Sequence, residues 1–190
     1  TKRELIEKPL EIKKYKFEAL QVLKFIEDGV LELINDPSMD AETVHLLGLA
    51  NTSFSAKGGN ISMINYAEMS AVVAAIKYGA EAVVIDERST KLIIENPEKL
   101  EEVFENKLHT DVVINKKNLD EFLHHVEKIK VIRSVELVVI AYELGLFDKF
   151  ILSIPEPQRT LLDSLLWGVK IRGCAISEKE IDEIVGMEVK

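Results

Sequence analysis

The sequence predicts an α/β protein in which a mainly parallel sheet is flanked by helices. Three observations carry that prediction. Short apolar, β-branched runs alternate with amphipathic helical stretches through most of the chain, as strands joined by helical crossovers do. The stretch from Ser62 to Arg88 holds one helix followed by one apolar run, with a glycine between them. A second strand-to-helix unit, from Ile129 to Gly145, echoes the same form.

The unit from Ser62 to Arg88 organises the rest. Asn65-Tyr66-Ala67-Glu68 opens a helix, Met69 to Ile76 extends it with small apolar residues, and Lys77-Tyr78-Gly79 closes it with glycine at a left-handed C-cap position. Ala82 to Ile85 is too short for another helix and reads as a strand covered on both faces. Asp86-Glu87-Arg88 follow at once. In open α/β sheets ligands meet the protein beyond the strand ends, so Asp86 stands where a site belongs. Glu68 shares a helix face with Ala71, Val72 and Ala75. A right-handed crossover places that helix start and the strand end at the same edge of the sheet, so Glu68 and Asp86 are expected to meet there.

The other elements follow in order. Ile12, Tyr15, Ala19, Val22, Leu23 and Ile26 recur at helical spacing, which predicts a helix from Glu11 to Asp28 stopped by Gly29. Val30 to Ile34 reads as a short strand and Asn35 to Ser38 as a turn, after which Ser38 or Asp40 caps a helix that fades at Asn51 to Phe54. Lys57-Gly58-Gly59-Asn60 breaks the chain. These glycines lack the remaining residues of a P-loop and read as a plain loop. After Arg88 come a short helix to Glu95, a helix begun by Asn96-Pro97, a strand from Asp111 to Ile114, and a helix opened by the capping-box spacing Asn118-x-x-Glu121. Ile129 to Ile132 is the second strand, delivering Arg133, Ser134 and Glu136 to the sheet edge before the helix Val135 to Leu144. Pro157 starts a helix with Leu161, Leu162, Leu165, Leu166 and Val169 on its buried stripe, and Ser177-x-x-Glu180 caps a last one.

Composition bounds the function. The 190 residues suit a single domain, 47% of them are hydrophobic, and the net charge is −9, which argues against strong non-specific attraction to nucleic acid. An acidic site that carries metal ions reverses that local field, so a nucleic-acid substrate stays open. No apolar run is long enough to span a bilayer and the first residues lack the apolar core of a signal peptide, so the expected location is cytoplasmic. The lone Cys174 excludes an internal disulfide and a cysteine-rich zinc site. His124 and His125 are adjacent, so they point about 100° apart on a helix and read as a solvated face.

Taken together, Tyr66-Ala67-Glu68-Met69-Ser70-Ala71, then Val83-Val84-Ile85-Asp86-Glu87-Arg88, then Ile132-Arg133-Ser134-Val135 through Ala141-Tyr142-Glu143-Leu144-Gly145-Leu146 resemble the succession of motifs in PIN-domain proteins. The ending, Leu161-Leu162-Asp163 to Ile176-Ser177, is similar to their C-terminal part. The resemblance covers about Ser62 to Val185, with an inserted helical segment at about 96–128 in a single domain. It implies a three-layer α/β sandwich and cleavage of RNA by acidic residues holding Mg²⁺ or Mn²⁺, hard cations that prefer carboxylate oxygens. By position, Glu68 and Asp86 match the family's metal-binding and catalytic acids, and Glu87 the acid that often follows. Arg88, Arg133 and Ser134 are the expected substrate contacts, whereas Glu136 and Asp163 align with no ligand. The family's opening apolar strand, ending in a catalytic Asp, has no counterpart in Thr1-Lys2-Arg3-Glu4; it is either lost or lies upstream of Thr1.

Plainer readings stand beside these. Asn65-x-x-Glu68 is itself a capping-box spacing, and Asp86 can cap the helix that begins at Glu87. Arg88 can form a surface ion pair or touch a phosphate. Ser134 reads as an N-cap rather than a nucleophile, and Trp167 as core. Lys116, Lys117, Lys128 and Lys130 can rim an RNA site or simply be solvated. The expectation is therefore a metal-dependent ribonuclease, with a catalytically degenerate binding or assembly module as the alternative, an unrelated small-ligand enzyme ranking behind both, and a homodimer as the natural assembly.

Overall fold

The computed structural model describes residues 2–189. The chain divides into two compact units, Thr1–Glu42 and Thr43–Lys190.

In the first unit a wide π-helical turn, Arg3–Glu7, runs into α1 (Lys8–Glu11), and after a break comes α2 (Lys16–Glu27). The helix expected from Glu11 thus forms only from Lys16. Gly29, at φ 72°, lets the chain wrap the end of α2: its N–H reaches the Ile26 carbonyl at 3.1 Å and the Val30 N–H reaches that of Phe25 at 2.9 Å. The strand expected at Val30 to Ile34 does not form. Those residues are exposed and, among the described residues, no strand pairs with them. An alternating apolar run becomes a strand only where it finds a neighbour. Asp36 then accepts from the Ser38 N–H at 3.0 Å and its hydroxyl at 2.7 Å, fixing a 3₁₀ turn at Pro37–Met39.

The second unit begins within α3 (Asp40–Asn51). Where a plain loop was expected, β1 (Phe54–Ala56) and β2 (Gly59–Asn60) form a hairpin. Its two linking residues, Lys57 and Gly58, have φ 51° and 79°, the positive pair that a type I′ turn requires. β1 also pairs antiparallel with β4 (Val113–Ile114), making a three-stranded sheet of order β2-β1-β4. α4 (Tyr66–Lys77) buries Met69, Val72, Val73 and Ala75 and ends at Gly79, φ 64°. β3 (Ala82–Val84) and β5 (Lys130–Ile132) pair in parallel, with Val83 opposite Val131. Between them lie α5 (Arg88–Glu95), α6 (Pro97–Leu108), β4 and α7 (Lys116–Val126). Asn115, not Asn118, caps α7, accepting from the Asn118 N–H at 3.2 Å. α8 (Ser134–Glu143), α9 (Pro157–Ile171) and α10 (Glu178–Glu188) share a core of Val135, Leu162, Leu166, Cys174, Ile176, Ile181 and Val185.

This corrects the expected fold class. Among the described residues the protein is 63% helix and 7% strand, with sheets of three and two strands, and is not a three-layer sandwich with a mainly parallel sheet. Two causes are visible. The parallel pair cannot grow past β5, because α5 seals that edge: Lys91 Nζ donates to the Val131 carbonyl at 2.7 Å and Glu95 accepts from the Val131 N–H at 3.1 Å. The expected strand at Asp111 to Ile114 shortens to two residues and joins the antiparallel sheet instead.

Candidate acidic site at the end of the parallel pair

Because β3 and β5 run parallel in register, the helices that follow them, α5 and α8, begin at the same edge. Asp86, just past β3, does not cap α5 as its position in sequence allows. It accepts instead from the Ser134 N–H at 2.7 Å and the Ser134 hydroxyl at 2.8 Å, at the first residue of α8. A carboxylate at a helix start satisfies an amide that has no partner within the helix and faces the positive end of its dipole. The hydroxyl lies 2.9 Å from the other carboxylate oxygen too, but it has one proton to give, so Asp86 keeps lone pairs open. Glu87 is exposed and caps α5, accepting from the Ser89 N–H at 3.2 Å.

Glu68 forms the capping box foreseen from its spacing. It accepts from the Asn65 N–H at 3.1 Å and the Asn65 side-chain amide at 2.6 Å, while the Glu68 N–H donates to Asn65 Oδ1 at 3.1 Å. The Thr90 hydroxyl, on fully buried Thr90 of α5, also reaches Glu68 at 3.5 Å. Glu68 is thereby tied to the helix that starts two residues after Asp86.

Three cations stand among these acids. Arg133, only 9% exposed, donates to the Ala175 carbonyl at 3.2 Å and lies 3.4 Å from Glu136 and 3.7 Å from Glu180. Its guanidinium is thus engaged by the protein. Lys91 pairs with Glu136 at 3.1 Å and Glu95 at 3.3 Å. Arg88 is exposed at the first position of α5 and faces Glu180 closely enough to act on its titration. Burial alone would raise the Glu136 carboxyl, but the Arg133 N–H at 2.7 Å, the Lys91 ammonium and the Arg133 charge outweigh it and hold the group below its ordinary range. Glu180 is likewise lowered: burial pushes it up, and the Ser177 N–H and hydroxyl with Arg133 and Arg88 push it further down.

The rim thus gathers five carboxylates, each accepting from an N–H at a helix start: Glu68 on α4, Glu87 on α5, Asp86 and Glu136 on α8, Glu180 on α10. Sequence spacing gave Asp86, Ser134 and the capping boxes, but not Thr90, Lys91, Glu95 or Glu180 as neighbours of the site, since only the packing of α5 and α10 brings them there. Cys174, buried, lies with its Sγ 3.5 Å from Asp86. Asp163 sits on α9. Trp167 packs against the helical core, with Lys170 Nζ 4.6 Å from the centre of its ring. Lys116, Lys117, Lys128 and Lys130 are all exposed. His45 contacts Glu121 at 3.5 Å and His125 edge to face.

Glu68 and Asp86 both carry hard oxygen donors, Glu68 bonded to Thr90 and Asp86 to Ser134. Among the described residues no three His, Cys, Asp or Glu side chains gather into a set that could hold a metal ion by themselves. An open groove of about 590 Å³, lined by Ala75, Ile76, His124, His125 and Lys128 among others, lies at the opposite end of α4 from Glu68. Among the described residues, no helix is long and apolar enough to cross a membrane. Comparison with known proteins finds no matching family model, no matching curated protein and no matching solved structure.

Proposed function

We propose that the rim beyond β3 and β5 is a divalent-cation-dependent site for hydrolysing RNA phosphodiesters in the cytoplasm, the chemistry that the PIN resemblance implies. One observation supports it above the others. The two acids which that resemblance pairs are linked to one short stretch of chain: Asp86 leads into α5, and Glu68 is bonded to Thr90 within it. Glu68 and Asp86 would hold Mg²⁺ or Mn²⁺ together with the RNA phosphate. Such an ion neutralises charge on the attacked phosphate and activates a water. Ser134 fixes the Asp86 carboxylate, Arg88, exposed at the start of α5, would meet a phosphate at the open side, and Arg133 ties the start of α8 to Glu180 and Ala175. The test is cleavage of single-stranded RNA with Mn²⁺. Glu68→Gln and Asp86→Asn should each lower the rate by at least about 100-fold in folded protein; activity unchanged in both overturns the proposal.

A second reading is favoured by a different fact: every rim carboxylate already accepts from the N–H of a helix start, and among the described residues no three acids gather into a metal-holding set. On that reading the chain binds or assembles without chemistry. RNA binding that needs no cation, with no cleavage, would mark it.

A further inference from the structure

We propose that a second copy of this chain docks on the outer face of α8 and the segment that folds back from it, forming a twofold-symmetric dimer. α8 has two faces. Val135, Val138, Val139 and Tyr142 turn toward the α9–α10 core, while Leu137, Ile140 and Leu144, at helical spacing, point the other way at 41%, 44% and 69% exposure. The next residues extend this face. The Gly145 N–H reaches the Tyr142 carbonyl at 2.9 Å and the Leu146 N–H that of Ala141 at 3.0 Å, the paired bonds of a Schellman turn, which hold Leu146 against the end of the helix. A 3₁₀ turn, Asp148–Phe150, follows. Leu146, Phe150 and Leu152 remain 63%, 54% and 63% exposed.

The size of the face points to a partner. At roughly 150–200 Å² for a whole large apolar side chain, these six leave roughly 500–650 Å² in water, beyond what scattered surface residues explain. Two such faces together exceed the ~1,000 Å² that a specific interface needs, before any polar rim is counted. Charge selects which partner. Asp148 and Lys149 sit side by side and exposed in the segment, so a twofold axis passing through it would let the Lys149 of each copy meet the Asp148 of the other. One lysine is too little for an RNA strand or an anionic membrane, and a strongly charged protein would leave one of the two unpaired.

Sedimentation velocity of the full chain across a concentration series tests this. Wild type should pass from monomer to dimer as concentration rises. Leu144→Glu and Phe150→Glu, both at exposed positions that leave the core intact, should each weaken the dimer by at least ~100-fold, because each copy then buries an unpaired carboxylate. Val113→Glu, a 66% exposed position on the antiparallel sheet, should leave it unchanged. A wild type that stays monomeric at every concentration overturns the proposal, as does a dimer that survives both substitutions.

Discussion

Replacing Asp86 by alanine probes the contact on which the site is built. In the wild type its carboxylate accepts from the Ser134 N–H at 2.7 Å and hydroxyl at 2.8 Å. A hydrogen bond to a charged group contributes about 1.5–3 kcal/mol net, and loss of a helix cap costs about 1 kcal/mol, two descriptions that overlap here. Asp86→Ala should therefore cost about 2 kcal/mol, because it leaves the first amide of α8 half-buried without its acceptor. Asp86→Asn keeps an acceptor oxygen and loses only the charge, so it should cost about 1 kcal/mol. For a unit of this size the alanine variant should melt ~4–8 °C lower. Urea titration followed by circular dichroism measures the loss, and a cycle with Ser134→Ala isolates the pair, whose coupling should be about 1 kcal/mol. An alanine variant within about 0.5 kcal/mol of wild type, or strict additivity with Ser134→Ala, would refute the account of how Asp86 is held.

Three further outcomes follow from the packing. Leu166, fully buried in the core of the last three helices, should cost about 3 kcal/mol as alanine in the same titration, since the cavity adds to the lost burial. Glu136 and Glu180 are held below the ordinary glutamate value of 4.5. The unfolded chain therefore binds protons first, and the stability these groups supply is full above that value and lost as pH falls through their folded values. Arg133→Met removes a cation from both, so its stability deficit should be about 2 kcal/mol at neutral pH and narrow below pH ~4, as urea titrations at stepped pH will show. Glu95→Ala strips the acceptor from the Val131 N–H, so that amide should exchange with solvent at least ~10-fold faster while the amides of α9 keep their protection.

How much of this was readable beforehand depended on whether a feature was local. Asn65-x-x-Glu68 and Ser177-x-x-Glu180 formed the capping boxes their spacing requires, and Gly79 and Gly145 took the left-handed φ expected of helix stops. Each of these is settled within a few residues. The sheet is not legible for the converse reason: whether Val30 to Ile34 pairs depends on a neighbouring strand that no local pattern encodes, and Lys57-Gly58 reads as a loop by composition although a polar-Gly pair between short runs is also the turn a hairpin uses. The α5 side chains that close the edge of β5 lie 36 and 40 residues away from Val131. At the site, the strand-end logic located Asp86, but its partner Ser134 lies 48 residues on, across the parallel pair. Arg133 was read as a substrate contact because it follows a strand. Its burial and its bonds to Glu180 and Ala175 come from the packing of α9 and α10, which no pattern near Arg133 encodes.

On the proposed function, Glu68 and Asp86 would serve one cation at the end of the parallel pair. Trace Mn²⁺ added to the isotope-labelled chain in the presence of a short uncleavable RNA analogue tests it directly, because the ion broadens only nearby amide signals. The amides of Asp86, Glu87, Thr90 and Ser134 should fade first and keep their intensity in Asp86→Asn. Broadening spread evenly over the acidic surface, or unchanged by that substitution, would contradict the claim.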